Sequence, residues 1–152
     1  MSEIKENTNQ PPRGIRNNNP GNIRNSEANE WKGEVDKEEK LDNSFEEFED
    51  MPHGIRAMMQ LLINYQRKYT LLTVRDLVGR WAPRTENDTT TYVNRVCKEL
   101  QMPSTCPIDL TDKGTLCALV DAMIFVENGK RVPMADIEAG YALFLKYSPK
   151  KR

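Results

Sequence analysis

One carboxylate, Glu127, occupies an unusual position in this sequence. Helical spacing places it on the same apolar stripe as Val120 and Met123, at the end of a strongly apolar run. Desolvation, the negative end of the helix dipole and the lack of a basic residue one turn earlier all favour a protonated carboxyl there. A glycosidase needs such a group to protonate the leaving oxygen. The alternative is that Glu127 lies at the surface and pairs with Lys130 or Arg131.

A hydrolytic glycosidase would also need a second carboxylate. Inverting enzymes hold the two groups roughly 6.5–9.5 Å apart, and retaining enzymes hold them about 5–5.5 Å apart. The candidates are Glu46, Glu47, Glu49, Asp50 and Glu86. The sequence does not choose between them, and Glu86 could equally cap a helix.

The elements that would position these groups are mainly helices. Apolar residues that recur every three or four positions predict five of them. The predicted helices cover about 53–69, Thr73 to Trp81, Asp88 or Thr89 to Leu100, Thr111 or Asp112 to Asn128, and Met134 to Tyr147. Residues 13–24 predict a structured loop, and residues 25–50 a long loop or small β-region. The expected fold class is therefore mainly α (α+β), with a small irregular or β part near the N-terminus.

Length and composition favour one domain. A chain of 152 residues can bury a core without disulfides or a structural metal. We expect a disordered lead over residues 1–12, a single domain over 13–147 and a basic tail over 148–152. No secretory signal peptide and no membrane span are expected, because no apolar stretch approaches the ~20 residues that a span requires.

Charge and metal-ligand residues exclude several classes of function. The net charge of −1 does not indicate nucleic-acid binding, although residues 27–50 are strongly acidic and residues 51–152 carry a basic excess. Cys97, Cys106 and Cys117 lack the paired spacing of zinc sites and are expected to be free thiols, although a bridge between the first two is conceivable. His53 lies at a predicted helix start and is expected at the surface or in a cap. We therefore predict no metal and no cofactor.

Several segments resemble enzymes that cleave peptidoglycan. Residues 19–24 (NPGNIR), 31–33 (WKG), 45–48 (FEEF) and 54–57 (GIRA) resemble the middle of flagellar-rod-type glucosaminidases. Residues 81–83 (WAP) and 86–96 (ENDTTTYVNRV) resemble a segment of lytic transglycosylases whose tyrosine lines the cleavage site. Residues 123–129 (MIFVENG) resemble the helix end that carries the catalytic acid in these families. The resemblance implies a lysozyme-like domain.

The order of these segments differs from those families. There the glutamate helix comes first, whereas here it follows the other segments, as in a circular permutation. Residues 13–129 as a whole also resemble a group of phage virion and endolysin proteins, through the segments RGIRNNNPGNI, RWAP, ENDT and ENG in this order. The resemblance implies cleavage between N-acetylmuramic acid and N-acetylglucosamine, with Glu127 as general acid.

The resemblance also implies roles for other residues. Tyr92 would orient the sugar or stabilise the transition state, or else it packs in the core. Asn18, Asn19 and Asn22 would contact N-acetyl groups unless they only form turns. Trp31 or Trp81 would stack on a sugar ring, and Glu86 would either serve as a second acid or cap its helix.

The sequence leaves alternatives for both the chemistry and the biological setting. The Tyr92 segment favours a lytic transglycosylase, in which one glutamate acts as acid and then as base, over a hydrolytic muramidase. The rival from another class is a non-enzymatic, lysozyme-like structural or glycan-binding component of a virion or secretion machine. A delivered toxin would add a cognate inhibitor as a partner. In each case the expected target is the cell wall, reached after phage lysis, virion delivery or machine-mediated secretion.

Overall fold

The structure is a computed structural model that describes residues 10–27, 29–82 and 85–147, apart from the side chains of Glu86 and Asn87. Six helices lie within the described residues. They are α1 (Arg13–Arg16), α2 (Met51–Tyr69), α3 (Val74–Trp81), α4 (Glu86–Leu100), α5 (Lys113–Asn128) and α6 (Met134–Tyr147). The mainly α fold class is confirmed. The expected lead and tail fall outside the described residues except for residues 10–12.

Side-chain caps fix where most of these helices begin. Asp50, Thr73 and Asp112 each accept a hydrogen bond from the backbone N–H three residues later, as N-cap residues do. Asp112 begins the glutamate helix, which ends at the left-handed Gly129. The predicted ends of α3, α5 and α6 are therefore confirmed.

Three predicted boundaries are wrong. Helix α4 begins at Glu86 rather than Asp88 or Thr89, because the hydroxyl of Thr85 accepts from the N–H of Asp88. Helix α2 begins at Met51, two residues earlier than expected, because the carboxyl of Asp50 caps it. The segment 13–24 is not all loop, since its first residues form the short helix α1.

Helix α5 runs through the centre of the core. Half of its residues are buried, which is typical of a helix with neighbours on several sides. Helix α4 packs on one side of α5, and α1, α2 and α6 also contact it. Helices α2 and α6 form the most extensive helix pair, and Gly140 of α6 allows the side chain of Ile55 to approach closely. The last turn of α5, which carries Glu127, is therefore held on several sides.

Carboxylates of the acidic region, residues 27–50, help to hold the N-terminal part of the fold together. Isolated antiparallel bridges join Arg24 to Phe45 and Glu34 to Phe48. The carboxyl of Asp42 accepts two hydrogen bonds from Arg13, at 2.6 and 2.8 Å, and another from Asn17. These donors hold the pKa of Asp42 well below its usual range, despite the opposing effect of burial. Much of the acidic run is thus structural.

The remaining sequence features are simpler. No helix among the described residues has both the length and the apolarity to cross a bilayer. The thiols of Cys97, Cys106 and Cys117 are free, and burial raises the pKa of the first and the third. The conceivable bridge between Cys97 and Cys106 is not formed.

Candidate active site

Glu127 lies in the last turn of α5, where the apolar stripe of that helix reaches a groove. Glu127 is half-buried, and Val120 and Met123 of the same stripe are fully buried. The alternative in which Glu127 pairs with Lys130 or Arg131 does not hold among the described residues. Arg131 instead binds Glu99 and Asp121, each at 2.6 Å, and Lys130 forms no ion pair there.

Two side chains from distant parts of the chain hold the Glu127 carboxyl. The amide Nδ2 of Asn22 donates to Oε1 at 2.8 Å, and the hydroxyl of Tyr92 donates to Oε2 at 3.0 Å. A tyrosine hydroxyl both donates and accepts, so this partner suits the ionised and the protonated carboxyl alike. The two hydrogen bonds therefore fix the orientation of the group in either state.

Tyr92 reaches the carboxyl from α4. Tyr92 is only 2% exposed. It belongs to the buried core together with Val93 and Val96, while its hydroxyl donates to Glu127. The two interpretations of Tyr92 are thus compatible: the ring is a core residue and the hydroxyl belongs to the site.

Asn22 reaches the carboxyl from the loop that follows α1. The loop is docked on the helices by Asn128, whose Nδ2 donates to Pro20 O at 2.9 Å, and by Trp81, whose Nε1 donates to Gly21 O at 3.1 Å. Asn22 itself has a left-handed backbone with a φ of 52°, which asparagine tolerates better than most residues.

The loop also depends on a close backbone approach. A Cβ on Gly14 would lie 2.6 Å from Oδ1 of Asn128 and 2.9 Å from Oδ1 of Asn22. Since real Cβ atoms do not come so close, any larger residue at position 14 would push the loop away from α5. Helix α1 therefore helps to place Asn22.

Two adjoining cavities form the groove in front of Glu127. The first, of about 200 Å³, contains Glu127 and Phe45 in its wall, and the second, of about 210 Å³, contains Trp31 and Tyr65. The residues that line both cavities are Asn22, Arg24 and Trp81. Apolar and aromatic side chains with a few convergent polar groups are typical of a ligand-binding pocket. The groove thus contains Asn22, Trp31 and Trp81, all three of them predicted ligand contacts.

The other two predicted asparagines have structural roles. Asn19 is fully buried, and its amide binds the backbone of Ile23 through two hydrogen bonds and Glu46 O through a third. Asn18 donates to Phe48 O and does not line either cavity of the groove. The structure therefore does not bring Asn18 or Asn19 into the wall of the groove with Asn22, because their side chains form hydrogen bonds that shape the loop.

The candidate second carboxylates are engaged elsewhere. Glu46 is fully buried and pairs with Lys37 at 3.2 Å, while Glu47 accepts from the backbone N–H groups of Leu41 and Asp42. Asp50 caps α2, and Glu49 approaches His53. Among the described side chains, Glu127 is the carboxylate that lines the groove. Glu86 is the first residue of α4, and its side chain lies outside what the structure describes.

One group of potential metal ligands lies away from the groove. The ligand atoms of Glu49, Asp50 and His53 are within 4.8 Å of one another at the start of α2. Nδ1 of His53 is 2.6 Å from Asp50 Oδ1, and the His53 backbone N–H donates to the same oxygen, so helix capping accounts for this arrangement. The expectation that His53 serves a helix cap is confirmed.

Three residues of the site were not singled out from the sequence. Asn128 anchors the loop, Tyr65 adds a ring to the groove and Arg24 adds a cation. Tyr65 lies on α2, and its ring packs edge-on against Trp81 with centroids 6.2 Å apart. Of these three, Asn128 could have been identified from the sequence, because it directly follows Glu127 at the end of an apolar helix.

Comparison with known proteins relates the chain to a bacteriophage protein. No protein-family model matches the chain. The chain is 42% identical over 123 residues to "Protein P5" of Pseudoalteromonas phage PM2, an alignment that covers 80% of this chain and 74% of that protein.

Proposed function

Since the chain belongs to the same family as Protein P5 of Pseudoalteromonas phage PM2, we propose that it acts on a barrier that phages meet, the bacterial peptidoglycan wall. The proposed reaction cleaves the β-1,4 bond between N-acetylmuramic acid and N-acetylglucosamine. The family relationship gives only the phage setting. The chemistry is inferred from the groove.

The observation that carries the proposal is the carboxyl of Glu127, held by Asn22 and Tyr92 in an aromatic groove. A sugar chain in this groove would place its faces against Trp31 or Trp81, because pyranose rings offer C–H groups to aromatic rings. Glu127 then donates its proton to the glycosidic oxygen as the bond to the anomeric carbon breaks.

We favour the lytic transglycosylase route over the hydrolytic one. In this route the Glu127 carboxylate next accepts the proton of the muramic 6-hydroxyl, whose oxygen bonds to the anomeric carbon and closes an anhydro ring. One carboxyl thus serves as acid and then as base, without a second carboxylate. This matches the groove as described, where Glu46 and the other candidates have structural partners.

Tyr92 assists by position rather than by charge. Its hydroxyl bonds the carboxyl oxygen Oε2, so it keeps the carboxyl aimed while the proton leaves and returns. Asn22 does the same at Oε1. Glu86, at the start of the helix that carries Tyr92, is the remaining candidate for a second acid under the hydrolytic route.

Under this proposal the domain is a lysozyme-like helical fold in which the glutamate helix comes late in the chain. Its site of action is the cell wall, reached after lysis, virion delivery or secretion by a machine. A delivered toxin would have a cognate inhibitor that covers the groove. The second candidate function, glycan binding without cleavage, would use the same aromatic rings.

Mass spectrometry of purified peptidoglycan incubated with the full chain tests the proposal. The expected products are muropeptides with 1,6-anhydromuramic ends. Reducing muramic ends would assign the hydrolytic route instead. Protein that sediments with intact peptidoglycan and releases no muropeptide would contradict cleavage and favour the glycan-binding alternative.

A further inference from the structure

One cation of the groove has no assigned role. Arg24 is exposed and lines both cavities, between the Glu127 end and the Trp31 end. Within the described part of the chain, its guanidinium forms no ion pair. By contrast, the neighbouring Arg13 is saturated by Asp42 through two hydrogen bonds.

The position of Arg24 is fixed by a single aromatic residue. The backbone of Arg24 forms an antiparallel bridge with Phe45, and its guanidinium lies over the ring of the same residue, 4.9 Å from the centroid. Arg13 lies over that ring as well, at 4.3 Å. Stacking of this kind leaves the N–H edge of a guanidinium available to a ligand while limiting its motion. Arg24 is thus a preorganised cation in the groove that has no ion-pair partner among the described residues.

We propose that Arg24 determines the specificity of the groove by binding a carboxylate of an acidic glycan. A guanidinium pairs with a carboxylate through two parallel hydrogen bonds, and such charge-assisted bonds are among the strongest available. This inference rests on the proposed function and deepens it. Chains of N-acetylglucosamine alone have no carboxylate, whereas muramic acid carries one on its lactyl group or, when a peptide is attached, on its peptide stem.

The test compares a neutral oligosaccharide with two that carry carboxylates. Full-length protein carrying Glu127→Gln, which prevents cleavage, is titrated calorimetrically with three probes. They are chitotetraose, the muramic-acid-containing tetrasaccharide with free lactyl groups, and the same tetrasaccharide with peptide stems. Tighter binding of either acidic probe than of chitotetraose is expected, and the one that binds more tightly identifies the carboxylate.

Adding Arg24→Gln should weaken the preferred acidic probe about ten- to a hundredfold and leave chitotetraose unchanged. Arg24→Lys should recover part of the loss, because it keeps the charge without the two-pronged geometry. Arg16→Gln is the matched control, since Arg16 is equally exposed but lines neither cavity of the groove. It should change none of the affinities.

Three outcomes would overturn the inference. The first is equal affinity for the neutral and acidic probes. The second is an equal loss of affinity for all probes on Arg24→Gln. Either result would contradict only the role proposed for Arg24. In that case the proposed cleavage of glycans would stand. If none of the probes binds, both this inference and the proposed function are contradicted. Thermal melting of each variant shows whether loss of the Phe45 stack has unfolded the protein, and Arg24→Lys remains informative if Arg24→Gln does so.

Discussion

Asn22 and Glu127 are separated by 105 residues in the sequence, yet the amide of the first donates to the carboxyl of the second at 2.8 Å. This hydrogen bond joins an N-terminal loop to the end of the central helix. A second hydrogen bond, from Asn128 Nδ2 to Pro20 O, holds the same loop on the same helix. The consequence is that the loop and the carboxyl are positioned together, which gives several measurable effects.

Replacing Asn22 by glycine removes the donor to Oε1 and keeps a residue that accepts the left-handed backbone. The variant should cleave peptidoglycan about 10- to 100-fold more slowly, because a hydrogen bond to a carboxyl is lost. Its melting temperature should change little. Turnover measured on dye-labelled peptidoglycan checks this, and unchanged turnover would remove Asn22 from the site.

Replacing Asn19 by alanine should have the opposite profile. Asn19 is fully buried and makes three hydrogen bonds to backbone groups of the loop and of Glu46. Each buried group left without a partner costs about 1–3 kcal/mol, so the free energy of unfolding should fall by about 3 kcal/mol or more. Urea denaturation measures this free energy of unfolding. If the Asn19→Ala protein is stable but no longer binds peptidoglycan, Asn19 is a ligand contact.

Replacing Tyr92 by phenylalanine tests the hydroxyl separately from the ring. The ring is buried and stays in place, whereas the hydrogen bond to Oε2 disappears. We expect kcat to fall about tenfold with KM nearly unchanged, since the hydroxyl aims the carboxyl rather than binding the sugar. The melting curve is the control. If kcat is the same as in the wild type, Tyr92 is only a core residue.

The ion pair between Arg13 and Asp42 should make stability depend on pH. The pKa of Asp42 is lowered in the folded protein, chiefly by Arg13, so its stabilising effect is present above the unfolded pKa of about 3.9. That effect is lost as the pH falls from about 5 toward the lower folded pKa. Asp42→Asn should therefore be less stable at neutral pH and lose less stability on acidification. Parallel urea titrations of both proteins at several pH values between about 2 and 7 check this, and identical pH slopes would contradict it.

The sequence predicted the helices well because their signals are local. Thr73, Asp112 and Gly129 are caps, and caps are set by neighbouring residues. The start of α4 was placed too late because Thr85, Asp88 and Thr89 all suit an N-cap, and the sequence does not say which hydroxyl or carboxyl accepts.

The site was only partly predictable for a physical reason. Glu127 was identifiable because a carboxylate stands out on an apolar stripe, whereas the asparagines of the loop look alike in sequence. Packing separates them: Asn19 points into the protein and Asn22 points toward α5. Arg24 was missed because an exposed arginine is ordinary until a groove and an aromatic ring surround it.

The measurement that tests the account most directly is lysis by Glu127→Gln. Glutamine keeps the shape, and it can still accept from Asn22 and donate to the Tyr92 hydroxyl, but it delivers no proton. General acid help is typically worth about 10²–10⁴-fold in rate. Release of dye from labelled peptidoglycan should therefore fall by at least about a hundredfold, with a melting temperature equal to or above that of the wild type. Glu138→Gln, which alters an exposed carboxylate on α6, should retain full activity. Lysis by Glu127→Gln at the wild-type rate would contradict the assignment of Glu127 as the acid, and lost lysis with a much lower melting temperature would mark Glu127 as structural.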